Sequence, residues 1–199
     1  MRNLTTTLCL TIAVLLGSVG VSASADLQTG LTAYESGDYV TALREWTPLA
    51  KQGNAVAQFV LGVMHQNAQG VPQDYKTALK WYKLSAEQGY ADAQYRLGFM
   101  YKKGWGVPQD DKTAVKWYKL AAEQGLVYSQ SNLGRMYAFG QGVLKDYVRA
   151  HMWGNLAASN GTETGTKLRD FVEKKMTPSQ LEKAQDLARE CVRKKYKGC

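Results

Sequence analysis

Few side chains in this sequence are of the kinds that make or break bonds. It has two histidines, His65 and His151, and three cysteines, Cys9, Cys191 and Cys199. No H-E-x-x-H, G-x-S-x-G or phosphate-loop pattern surrounds them, so no nucleophile, base or metal set is assembled by spacing alone. His65 stands within an apolar helical pattern, and His151 takes a place that is Leu79 or Val115 in matching segments, so both read as packed or half-exposed residues rather than catalytic ones. Asp74, Asp110, Asp111 and Asp146 form a carboxylate row without calcium-loop spacing; standing just before helical runs, they read as helix caps. Lys76, Lys80 and Lys83, echoed by Lys112, Lys116 and Lys119, make a basic stripe, usually a solvated face. Cys191 and Cys199 are spaced C-x7-C rather than C-x-x-C, which points to a structural bridge and not to redox catalysis. Unbroken helix would hold their Cα atoms about 12 Å apart, beyond the bridging limit of about 7 Å, so pairing requires the chain to turn back, as Gly198 permits. No catalytic residue, cofactor or metal is expected.

The elements that carry these residues repeat. Segments 57–89, 93–125 and 129–161 overlay without a gap, and Gly53, Gly89, Gly125 and Gly161 recur every 36 residues. A period of that length means stacked helical hairpins, since one hairpin cannot bury its apolar face alone. In the second copy, Ala93, Leu97, Gly98, Met100 and Tyr101 mark a first helix, A. Gly62, Gly98 and Gly134 sit where alanine would make better helix, which implies a large partner side chain over the missing Cβ. Glycine ends helix A, Pro108 blocks its continuation and Asp110 caps a second helix, B, with Ala114, Trp117, Tyr118, Ala121 and Ala122 facing inward. Trp81, Trp117 and Trp153 share one position and read as core. The third copy has Leu144 for proline, so a looser turn is expected there.

The run from Ala91 to Gly125 resembles the Sel-one-like repeat family, helical solenoids related to tetratricopeptide repeats. It follows the pattern A-x-A-Q-x-x-L-G-x-M-Y-x-x-G-x-G-V-x-x-D-x-x-x-A-x-x-W-Y-x-x-A-A-x-x-G, and three whole units cover 54–161. His65 departs from the tyrosine seen at Tyr101 and Tyr137, and Gly154 from that at Tyr82 and Tyr118. The resemblance implies an adaptor or scaffold, in many members at the bacterial envelope. Cysteine-stapled members linked with β-lactam-like molecules carry cysteines in every repeat; here no repeat has one, so that activity is not carried over.

The whole reads as an all-α solenoid of antiparallel helical hairpins. Residues 1–25 form a leader, 26–53 a partial opening repeat, 54–89, 90–125 and 126–161 the repeats, and 162–199 C-terminal capping helices. Within the leader, Arg2 precedes an apolar run at 8–21 and small residues at Ala23 and Ala25, so cleavage is expected near Ala25/Asp26 with export to the periplasm or beyond, and no stable membrane insertion afterwards. At the other end, Thr177, Pro178 and Gln180 form a capping-box start, within an R-D-x-x-E-x-x-M-T-x-x-Q segment that members of this family often use to close.

Lys and Arg total 25 against 17 Asp and Glu, a net charge of +8 that favours anionic partners, with nucleic acid set aside for an exported chain. Binding should use the concave side lined by the A helices, at positions that differ between otherwise matching copies. These are Val60, Arg96 and Asn132, then Val63, Phe99 and Arg135, then Asn67, Lys103 and Phe139. The expectation is a noncatalytic scaffold that holds a protein or peptide there. The alternative is an envelope glycan or peptidoglycan binder using the basic stripe.

Overall fold

The computed structural model describes residues 27–199, all of whose regular structure is helical. Helix α1 occupies residues 27–35. It is followed by α2 (Tyr39–Lys51), α3 (Ala55–Asn67), α4 (Tyr75–Glu87), α5 (Ala91–Lys103), α6 (Asp111–Ala122), α7 (Val127–Phe139), α8 (Tyr147–Ser159), α9 (Glu163–Glu173) and α10 (Pro178–Arg193). Each helix from α3 to α9 packs on its predecessor in the chain, so the molecule is an all-α helical solenoid. We call the odd-numbered helices A and the even-numbered ones B. The leader expected at 1–25 and its cleavage site lie outside the described residues.

The B helices α2, α4, α6 and α8 start where an aspartate satisfies their free amides. Asp38 accepts from Thr41 N, Asp74 from Lys76 N and Thr77 N, Asp110 from Thr113 N, and Asp146 from Arg149 N. The hydrogen bond from a neighbouring threonine holds the carboxyls of Asp38, Asp74 and Asp110 below the usual range. Asp111 is not a cap but the first residue of α6.

The A-helix glycines are covered as the sequence implies, but in the first two repeats by the residue after the recurring tryptophan. Tyr82 lies over Gly62, where a β-carbon would stand 2.6 Å from its ring, and Tyr118 lies over Gly98 at 2.9 Å. Trp46 fills the same role over Gly30. Tyr82 and Tyr118 are fully buried, contributing about 2 kcal/mol each by area, whereas Trp81 and Trp117 are only half-buried and Trp153 alone of the three tryptophans is enclosed. The expectation of three core tryptophans is corrected accordingly: adjacent helical positions point about 100° apart, and the one aimed at the glycine goes inside.

A buried glutamine in each repeat stitches it to the one before. Gln58, Gln94 and Gln130 donate to Ala50 O, Ala86 O and Ala122 O at 3.0, 3.2 and 3.4 Å. Gln88 then donates to Gln58 Oε1 at 2.7 Å, and Gln124 to Gln94 Oε1 at 2.8 Å. The ladder stops at Asn160, one methylene too short, whose amide bonds its own Leu156 O and leaves Gln130 Oε1 buried and unpaired. Asn160→Gln should supply the missing donor, adding about 1 kcal/mol and raising the thermal midpoint by about 2–4 °C. An unchanged midpoint in a calorimetric scan would refute this.

The third turn is as tight as the others. Asp146 N donates to Tyr137 O at 2.9 Å, as Asp110 N does to Tyr101 O and Asp74 N to His65 O, while Leu144 points into solvent. The glycines and this hydrogen bond set the turn, not the proline.

At the C-terminus, Thr177 and Gln180 form the capping box of α10. Helix α9 packs on α8 and α7, while α10 lies along α8 rather than pairing with α9, so the last two helices do not form another hairpin. The turn that ends α10 places Lys195, Tyr196 and Gly198 at positive φ and brings Cys199 back to Cys191, with Cα atoms 5.6 Å apart, inside the bridging limit. The same turn lays the Tyr196 ring against Gly125.

Candidate protein-binding face

The two histidines stand on different repeats, on α3 and α8. His65 is half-buried and His151 buried, each with an Nδ1 that has no hydrogen-bond partner. Around His151 stand Glu173, 3.8 Å from Nε2, with Arg169 and Asp170. Burial lowers the proton affinity of both imidazoles, outweighing Asp74 at His65 and Glu173 at His151. Below the ordinary histidine pKa of about 6.5 the unfolded chain therefore binds more protons than the folded one, and stability falls as pH drops. Thermal midpoints at pH 7.5 and 5 should show this loss. His151→Val, the residue type at Val115, should reduce it, and an unchanged pH slope would refute the assignment.

Of the residues at varying A-helix positions, Val60 and Val63 line an apolar groove of about 420 Å³ with Leu27, Leu31, Val56 and Phe59. Farther along, Phe99 is held edge-on by Trp105 at 5.2 Å, and Lys103 Nζ lies 5.8 Å over its ring. Arg96 leans over Tyr95 at 5.9 Å. Asn67, Lys103, Arg135 and Phe139 are exposed. Asn132 turns back to bond Tyr128 O at 2.9 Å, which directs its amide along its own helix.

Two residues extend the face beyond those the repeats single out. Phe171 stacks on Phe139 at 5.7 Å, and Lys175 Nζ lies 5.0 Å over the Phe171 ring. They continue the columns of Arg135 and Phe139 at the same 36-residue step, so carrying the period past Gly161 finds them.

The charges differ between faces. Among the described residues, Arg96, Lys102, Lys103, Arg135 and Lys175 have no carboxylate within ion-pair distance, whereas on the B helices Lys83 pairs with Glu87, Lys119 with Glu123 and Arg149 with Asp146. The basic stripe is thus neutralised at Lys83 and Lys119 only, and on α9 Lys167 pairs with Glu163 and Arg169 with Asp170, so what sets the face apart is that these five cations stand beside Phe99, Phe139 and Phe171. Among the described residues there is no cluster of three metal-ligand side chains, and no helix is long and apolar enough to cross a membrane.

Three matches to the Sel1 repeat fall on residues 55–90, 91–126 and 127–162. The chain is similar to the crystal structure of a Sel1 repeat protein from Oxalobacter formigenes, with 38% identity and a TM-score of 0.60, over 64% of this chain and 96% of that one. It is also similar to a protective antigen present in uropathogenic Escherichia coli strains that displays an SLR fold, with 30% identity and a TM-score of 0.54, over 87% of this chain and 46% of that one. This chain thus spans less than half of the antigen's length. No curated protein matches. Sel1 repeat proteins are typically protein-interaction scaffolds, and with its glycine-seated aromatics, glutamine ladder and three matched units this chain belongs to the Sel1 repeat family.

Proposed function

We propose that this protein is an exported, noncatalytic scaffold that grips a protein partner on the concave face of its A helices. The observation that carries the reading is the set of cations without counter-charges, Arg96, Lys103 and Arg135, interleaved with Phe99, Phe139 and Phe171. Arginine and aromatic side chains supply most of the energy of protein interfaces, and a cation with no intramolecular carboxylate forms a new pair without first breaking an old one. In this reading residues 26–53 and 162–199 seal the two ends of the stack, and the Cys191–Cys199 bridge, formed in an oxidising compartment, holds the C-terminal seal.

The test is recovery of partners from envelope extracts by the mature protein and by an Arg96→Ala/Phe99→Ala/Arg135→Ala variant whose helicity is checked by circular dichroism. A folded variant that recovers as much partner as the original would defeat the proposal.

A further inference from the structure

The A-helix face changes character along its length. Over α1 and α3 it is an uncharged groove lined by Leu27, Leu31, Val56, Phe59, Val60 and Val63. Leu31 and Val56 are 42% and 43% exposed, more apolar surface than a free helix pair gains by showing. Over α5 and α7 and just past α9 the same face carries Arg96, Lys103, Arg135 and Lys175, with Lys102 at its edge, none in an ion pair among the described residues.

Lys102 lies between Arg135 and Lys103. Its ammonium is partly buried and donates to Gln141 Oε1 at 2.7 Å; burial makes it a weaker base, Asp111 opposes this, and Arg135 and Lys103 add to it. Like charges held together beside a water-excluding patch are relieved when an anion enters. A uniform polyanion does not fit, because the groove over α1 and α3 offers it no cation and would strip its charges of water without compensation.

Resting on the proposed use of this face, we infer that it takes an extended peptide segment of mixed character, with an aliphatic end in the Val60–Val63 groove and carboxylates against Arg96, Lys103 and Arg135. Spacing sets the length. Successive A helices stand roughly one helix diameter apart, about 10 Å, and extended chain rises about 3.3 Å per residue. One repeat therefore spans about three residues of ligand. An aliphatic block and an acidic block about three to six residues apart reach both halves together.

The probe is a set of labelled peptides about nine residues long, with a leucine block at one end and a glutamate block at the other, made in both chain directions and measured by fluorescence anisotropy. In at least one direction binding should weaken about tenfold when the leucines become serines, and again when the glutamates become glutamines. Val63→Asp should remove the dependence on leucine alone. Arg96→Glu/Arg135→Glu should lose the acidic peptide and gain one whose glutamates are replaced by lysines, a gain that an unfolded variant cannot give. Equal binding of the glutamine peptide, or an undiminished acidic peptide on the charge-reversed variant, would overturn the inference. If no block peptide binds while the triple alanine variant still loses its partner, the mixed ligand is wrong and the grip stands. If that variant also keeps its partner, both are wrong.

Discussion

Gly142→Ala is expected to cost about 3 kcal/mol, while the same change two residues earlier, Gly140→Ala, costs about 1 kcal/mol. Both glycines have positive φ, 66° and 69°. The difference lies in what a β-carbon would meet. At Gly140 the nearest atom is Lys145 Cβ at 3.5 Å, ordinary contact, whereas at Gly142 the methyl runs into the Asp111 carbonyl at the start of α6. Backbone cannot give way as a side chain can. The protein already carries the milder change, for Ala68 occupies the equivalent cap in the first repeat at φ 58°. No copy replaces the second glycine: Gly70 abuts Tyr39, Gly106 abuts the Tyr75 carbonyl, from which a β-carbon would stand only 2.5 Å, and Gly142 abuts Asp111. These three contacts dock each inter-helix loop on the first residue of the preceding repeat's B helix, so they couple one repeat to the next. In a stack stabilised by nearest-neighbour interfaces, damage there uncouples what lies beyond it. Amide exchange should therefore show α7 to α10 losing protection before α2 to α5 in Gly142→Ala. Equal urea midpoints for the two variants, or uniform loss of protection, would contradict the account.

What could be read in advance follows from the same contacts. The 36-residue period fixed the helix pairs, because each unit must bury the same stripe against the same neighbour, and the aspartate caps came with it. Which of two adjacent aromatics goes inside was not readable, since Trp81 and Tyr82 are both apolar and only the position of Gly62 on the facing helix decides between them. The docking of α10 along α8 was equally hidden, because an amphipathic helix announces that it has a buried face and not which helix it is buried against. The candidate face was legible only by subtraction, as positions that packing leaves free to vary. That is why Arg96, Phe99 and Arg135 emerged from the aligned copies, while Phe171 and Lys175 escaped notice: the cap does not match the repeat pattern although it keeps the period.

The hardest case for such reading is Gly154, and it yields the sharpest test. Aligned copies place tyrosine there, so Gly154→Tyr looks like a repair. We expect it to be the more damaging change, above about 3 kcal/mol. In the third repeat the place over Gly134 has been taken by Leu168 of α9, 2.7 Å from where a β-carbon on Gly134 would stand. Gly154 itself faces backbone: a β-carbon there would lie 3.1 Å from Arg169 N and 3.4 Å from Gly165 O. Gly165 returns the approach, its own β-carbon falling 2.6 Å from Ala158 N. Two glycines thus let α8 and α9 touch along their main chains, and a phenol at 154 needs the volume that α9 occupies. Gly154→Ala should be tolerated for about 1 kcal/mol, since a few tenths of an ångström of movement admits a methyl. Gly154→Tyr should instead push α9 away, exposing Leu168 and Val172 and uncovering His151, whose neighbour Glu173 lies on α9. Amide exchange confined to residues 163–173 reads the displacement directly, and loss of Phe171 from the Phe139 stack should weaken partner capture at that end of the face. A variant that melts at or above the original temperature with α9 still protected would mean that the tyrosine site was vacant all along, and that the cap is held by something other than this backbone contact.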